Sequence, residues 1–123
     1  MKLSKAEEQL MEYIWAKGSA FMKEIIDSYP DPKPAATTIA TLLKRIQDKN
    51  VLNYEVFGNS RKYYPLIKKS EYFSNQLKDM ITNFFDDSPA QFASFFTKET
   101  KMTTEQLEEL KKIITKQIKK SKK

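Results

Sequence analysis

Residues 34–66, PAATTIATLLKRIQDKNVLNYEVFGNSRKYYPL, change their hydrophobic period in mid-run. Ile39, Leu42, Leu43 and Ile46 recur at i, i+3, i+4 and i+7, the spacing of one buried helix face. From Val51 onward apolar and polar residues alternate instead, about a Gly58-Asn59-Ser60 tip with the turn chemistry of a hairpin. The stretch therefore predicts a helix and then strands over about 51–57 and 61–66. Away from its apolar stripe the helix carries Thr37, Thr38, Thr41, Lys44 and Arg45, short hydroxyls beside long cations. Asn50 stands where a left-handed residue closes a helix. Leu52, Tyr54 and Val56 share one strand face, Tyr63 and Pro65 share a face of the other, and Pro65 fits an edge strand.

Upstream, Pro30-Asp31-Pro32-Lys33-Pro34 cannot remain helical, because each proline restricts itself and its predecessor. It reads as a turn, with Pro34 near the first position of the third helix. A first helix begins at Ser4, in capping-box spacing with Glu7. Its stripe is Ala6, Leu10, Met11, Ile14 and Trp15, with Trp15 a core anchor, and Gly18 ends it. Ser19 caps a shorter second helix to about Tyr29, which turns Met22, Ile25, Ile26 and Tyr29 inward. Three helices feeding a basic-tipped hairpin make a winged helix-turn-helix, the arrangement that presents a helix and a wing to DNA.

Downstream the helical period returns at Ser70. Tyr72, Phe73, Leu77, Met80, Ile81, Phe84 and Phe85 make a wide apolar face. Asp86-Asp87-Ser88-Pro89 breaks the helix and starts another, with Ser88 as cap and Pro89 as first residue, carrying Phe92, Phe95 and Phe96. Thr103 or Thr104 caps a last helix with Leu107, Leu110, Ile113, Ile114 and Ile118. So thin an array cannot bury all these side chains internally, and a homodimer supplies the missing surface. The expected dimerisation set is Phe73, Leu77, Ile81, Phe84, Phe85, Phe92, Phe95, Phe96, Leu107, Leu110 and Ile114. The alternative is a monomer whose helices fold back on the winged domain. The fold class is mainly α with a small β wing. A winged-helix DNA-binding domain occupies 1–67 and a three-helix dimerisation domain 68–123.

Charge follows the same division. The net +6 of the 123 residues is uneven: 1–32 hold four lysines against six acids, whereas 33–62 hold six cations against two acids. The basic excess thus falls on the helix-hairpin unit, where phosphates would be met. A second excess, Lys111, Lys112, Lys116, Lys119, Lys120, Lys122 and Lys123, closes the chain and reads first as a solubilising helix end. Absence of histidine and cysteine removes the common general base, thiolate and imidazole metal sites and disulfides. Two glycines cannot build a phosphate loop, and the pairs Glu7/Glu8, Asp86/Asp87 and Glu108/Glu109 read as solvated faces or helix starts. No enzyme, cofactor or metal is expected. Without a signal peptide or membrane-length apolar run, the expected location is cytoplasmic.

Four segments carry a family resemblance: LSKAEEQLMEYIW (3–15), IIDSYPDPKPAATTIATLLKRIQDKNVL (25–52), YEVFGNSRKYYPL (54–66) and MTTEQLEELKKII (102–114). Together they resemble the penicillinase-repressor family, the BlaI/MecI/CopY-type winged-helix repressors, over nearly the whole chain. The resemblance implies a dimeric repressor of resistance or stress-response genes on a palindromic operator. It also implies release after a membrane sensor with a metalloprotease domain triggers cleavage in the C-terminal half. Thr38 and Thr41 match the family's exposed hydroxyls on the recognition helix, with Thr37 and Lys44 beside them in the major groove and Arg45 on base or phosphate. Arg61 and Lys62, at the wing's basic positions, would hold phosphate or the minor groove, and Lys33 would contact the backbone. Thr37 stands where relatives often place lysine, and Ala40 where some place a base-reading arginine, which leaves only a methyl contact. The cleavage junction falls at Phe95-Phe96, where the family's asparagine is absent, and the copper-responsive branch's cysteine site is missing. A different class of function also fits the helices: an interaction module that docks a heterologous partner through its aromatic C-terminal half.

Overall fold

A computed structural model describes residues 2–122, so Lys123 of the basic tail lies outside the described residues. In order the elements are α1 (Lys5–Lys17), β1 (Ala20–Phe21), α2 (Met22–Ser28), α3 (Ala36–Asp48), β2 (Leu52–Phe57), β3 (Ser60–Pro65), α4 (Lys69–Phe84), α5 (Pro89–Glu99) and α6 (Thr104–Ser121). The chain is mainly helical with one three-stranded antiparallel sheet of order β1-β3-β2. It divides into two compact units, Met1–Gln76 and Leu77–Lys123, so the first turns of α4 belong with the winged unit, beyond the expected 67/68 division.

In α1 the capping box forms as its spacing requires. Ser4 Oγ accepts from the Glu7 N–H at 3.2 Å and Glu7 Oε1 accepts from the Ser4 N–H at 2.9 Å, satisfying two orphan donors. Gly18, at φ 85, receives the chain at the other end, a conformation that costs a Cβ-bearing residue about 1–2 kcal/mol. Leu10, Met11 and Ile14 of α1 are fully buried beside Ile25 of α2, Ile39, Leu43 and Ile46 of α3, and Leu52 and Tyr63 of the sheet. Trp15 is only partly buried, and its indole N–H donates to the Ile67 carbonyl at 3.0 Å.

Several boundaries differ from the sequence expectation. Ser19 does not cap α2. Ala20 and Phe21 instead form β1, paired with Tyr63 and Lys62, and α2 starts at Met22, where Glu24 Oε1 accepts from the Phe21 N–H at 2.9 Å. A two-residue strand carries no periodicity of its own, so only its partner reveals it. Because β1 takes the other side of β3, β3 is the central strand rather than an edge. Pro65 is accommodated because β1 stops pairing at Tyr63. Pro34 lies ahead of α3, whose N-cap is Ala35, and Ala6 of α1 is exposed. Asn50 takes φ 62, as expected after α3.

α4 begins inside the winged unit. The Tyr72 hydroxyl accepts from the Leu3 N–H at 2.9 Å and donates to Glu8 Oε2 at 2.8 Å, and its ring is buried. Burial, with the neighbouring Glu8 carboxylate, raises its pKa above the ordinary tyrosine value. Phe73 packs edge-on against Tyr72 at 5.0 Å and against Trp15 at 6.0 Å.

In the second unit Ser88 Oγ accepts from the Gln91 N–H at 3.1 Å, Pro89 follows at the first helical position, and Thr103 with Gln106 forms a capping box on α6. Asp86 and Asp87 take φ 53 and 57, and Thr82 Oγ1 donates to Asp87 Oδ1 at 3.0 Å, stopping α4. Phe85 contacts Phe92 at 5.5 Å and Phe95 at 5.3 Å, and Phe92 stacks on Phe96 at 5.9 Å. No described residue of this unit is buried.

Candidate nucleic-acid interface

Ile39, Leu43 and Ile46 anchor α3 in the core and so decide which residues its other side presents. At about 100° per residue, Thr37, Thr38, Thr41, Lys44 and Arg45 fall within roughly 120° of arc. All five are exposed. The hydroxyls of Thr37 and Thr38 make no hydrogen bond among the described residues, whereas Thr41 Oγ1 donates to the Thr37 carbonyl at 3.0 Å. Its lone pairs stay free to accept. Lys44 pairs with Asp48 at 2.9 Å, but the two side chains are 74% and 62% exposed. Such a pair is worth a fraction of a kcal/mol, about what one phosphate contact displaces.

The wing is a hairpin closed by a two-residue loop, with Phe57 opposite Ser60 and Gly58 at φ 61, the sign a type II′ turn needs of its first central residue. Cross-strand register alternates two sets of side chains. On one face Arg61 lies opposite Val56, with its guanidinium 4.4 Å above the Tyr54 ring. On the other Lys62 lies opposite Glu55, and its ammonium stands 5.4 Å from the Phe21 ring. Both cations are propped by aromatic faces, which costs less rotamer entropy on binding than a free chain would.

Helix and wing face each other across a groove of about 430 Å³ lined by Phe21, Met22, Lys23, Ala40, Lys44, Gln47, Asn59, Ser60, Arg61 and Tyr63. Three cations and no acid line it. Of the expected helix residues Lys44 alone enters the groove, with Ala40, while the threonines and Arg45 lie on the outward face. Lys33 is turned elsewhere. Its ammonium donates to the Asp27 carbonyl at 2.9 Å and to the Tyr29 carbonyl, closing the loop before α3. Lys23 is the cation that sequence reading missed. It lies in the acidic stretch 1–32, and only β1, by placing the start of α2 beside the wing, brings it here.

A supporting ion pair lies behind α3. Lys49, just after α3, donates to Glu7 Oε1 at 2.6 Å, with the Glu7 side chain 3% exposed. Burial opposes ionisation of Glu7, but Lys49 and the Ser4 hydrogen bonds outweigh it and hold the carboxyl below its ordinary value. Glu7 thus fixes the end of α3 to the start of α1.

The penicillinase repressor family model matches residues 3–116. The penicillinase repressor of Bacillus licheniformis is 25% identical over 114 residues, 92% of this chain and 89% of that protein. The methicillin resistance regulatory protein MecI of Staphylococcus aureus strain N315 is 25% identical over 116 residues, 94% of each. In three dimensions, the solution structure of the DNA binding domain of the repressor BlaI aligns with a TM-score of 0.52 and 32% identity, over 58% of this chain and 88% of that one. With a match that runs from Leu3 into the last helix, and a winged-helix unit like that of BlaI, the chain belongs to the penicillinase repressor family.

Proposed function

We propose that this protein is a transcriptional repressor that reads a palindromic operator as a homodimer in the cytoplasm. Membership in a repressor family supports the general role. The observation that carries the DNA-reading assignment is the apposition of α3 and the wing across an acid-free groove holding Lys23, Lys44 and Arg61. On this reading Thr37, Thr38, Thr41 and Lys44 face the major groove, Arg45 meets base or phosphate, and Arg61 and Lys62 hold the backbone. Lys33 joins them only if it leaves its carbonyl partners.

The homodimer is supported by the apolar surface that the C-terminal unit leaves uncovered. Phe84 is 78%, Ile113 63% and Ile114 56% exposed, and a second copy of the chain would cover them. Release by cleavage rests on family resemblance together with the place of Phe95 and Phe96 on α5, both exposed. Cleavage within a helix requires that turn to unwind first, so the signal would act by loosening α5.

Selection of bound duplexes from a random pool, repeated at two salt concentrations, tests the assignment. An enriched inverted repeat with half-sites about one helical turn apart is expected. Salt-sensitive binding with no enriched site would reduce the protein to a non-specific DNA binder. No binding at low salt would overturn the reading in favour of a docking module.

A further inference from the structure

The wing carries two large apolar side chains near its tip that remain mostly in solvent. Val56 is 65% and Phe57 51% exposed, although both belong to a strand whose base, Leu52, is buried. They point to opposite faces of β2, which is the outer strand of the sheet. Neither face is purely apolar. Val56 lies opposite Arg61, and Phe57 packs edge-on at 6.0 Å against Phe21, the ring over which Lys62 stands. The hairpin end is therefore a blade, apolar at the last two residues of β2 and cationic on β3, with the exposed Glu55 one residue further back opposite Lys62.

That combination selects its occupant. An apolar tip flanked by two cations suits a partner that is apolar at its centre and anionic at its rim, and a purely phosphate-binding wing gains nothing from an exposed phenylalanine. A DNA minor groove uses both, since phosphates line its walls and its floor and sugars are apolar enough to receive a wedge. The geometry points to Val56 and Phe57 as an apolar wedge that enters the minor groove beside each half-site and loosens one base step, while Arg61 and Lys62 hold the flanking phosphates. The inference rests on the DNA-reading assignment above and adds to it a sequence preference at a position with no hydrogen-bonded base. Flexible pyrimidine–purine steps yield to such a wedge most cheaply.

The test uses the full chain and a duplex enriched from the random pool, with 2-aminopurine placed at successive positions through each half-site. With the wild-type protein fluorescence should rise at one step per half-site, where stacking is relieved. Phe57→Ala should abolish that rise and weaken binding about ten-fold at every salt concentration, leaving the salt slope unchanged because no charge is lost. Phe57→Leu, still apolar, should keep most of both. Val56→Thr preserves strand preference and shape and should lower affinity several-fold, which keeps the test decisive if Phe57→Ala disturbs the hairpin. No fluorescent step with a protein that binds, or Phe57→Ala and Val56→Thr indistinguishable from wild type, would overturn the wedge alone. Failure of the wild type to bind any duplex at low salt would remove the wedge and the DNA-reading assignment together.

Discussion

The two halves of the chain are built from the same local parts and end in different states. Ser4 caps α1, Ser88 caps α5 and Thr103 caps α6, and helices on both sides of Gln76 carry strong apolar stripes. Yet every buried apolar side chain lies at or before Tyr72, and the described residues beyond it are at most partly covered. The winged unit closes because its helices pack on a sheet, a second layer that covers what the first exposes. The C-terminal unit has no second layer of its own beyond the Phe85, Phe92, Phe95 and Phe96 cluster. Helix formation and burial are thus separate achievements, the first local and the second not.

Paired substitutions test this contrast most directly. Ile14→Ala should cost about 3–4 kcal/mol, since Ile14 is fully buried and the cavity adds to the lost transfer energy. Ile114→Ala should cost under about 1 kcal/mol in dilute protein while raising the dissociation constant of the proposed dimer. Urea titrations with sedimentation at matched concentrations would separate the two. Equal losses in dilute protein would mean that α6 is buried within its own chain after all.

Next in size is the Glu7–Lys49 pair. Lys49→Ala strands a carboxylate whose side chain is 3% exposed and should cost about 3 kcal/mol at neutral pH. Glu7 is depressed in the folded state, so the unfolded chain takes up its proton more readily and stability rises with pH across that interval. The pair's contribution should be complete above about pH 4.5, the ordinary glutamate value, and decline as pH falls through the lower folded value. Glu7→Gln should flatten the stability profile in that window, and a profile that keeps its slope would assign acid sensitivity to other groups.

Smaller effects belong to the wing. Gly58→Ala places a Cβ at φ 61, where it meets no atom within 4 Å, so the cost is backbone strain alone, about 1 kcal/mol. A loss several times larger would show that the turn supports the core rather than only closing the hairpin. Lys62→Ala should leave folding unchanged and reduce the salt slope of DNA binding by about one. Affinity lost with the slope intact would remove Lys62 from the phosphate contacts.

Much of the fold was legible because it depends on near neighbours. The Ser4–Glu7 capping box, the Ser88-Pro89 start, the left-handed Asn50 and the Gly58 hairpin turn are each decided within a few residues of chain. So is the exposed set on α3, because Ile39, Leu43 and Ile46 leave only one face free. Composition and period therefore determined the order of the six helices and the two wing strands, the winged-helix class and most of the candidate DNA-reading surface. Three things needed the tertiary structure. β1 is too short to have a period and exists only as a partner of β3, and through β1 the missed Lys23 reaches the groove. Lys33 looked free in sequence but satisfies two carbonyls that only the folded loop brings within reach. Tyr72 belongs to an apolar stripe that reads as C-terminal, but its hydroxyl meets the Leu3 N–H, 69 residues away. Each outcome turns on a hydrogen bond or a packing contact closed by the folded chain, and local sequence cannot say which donors and acceptors the fold will leave unmatched.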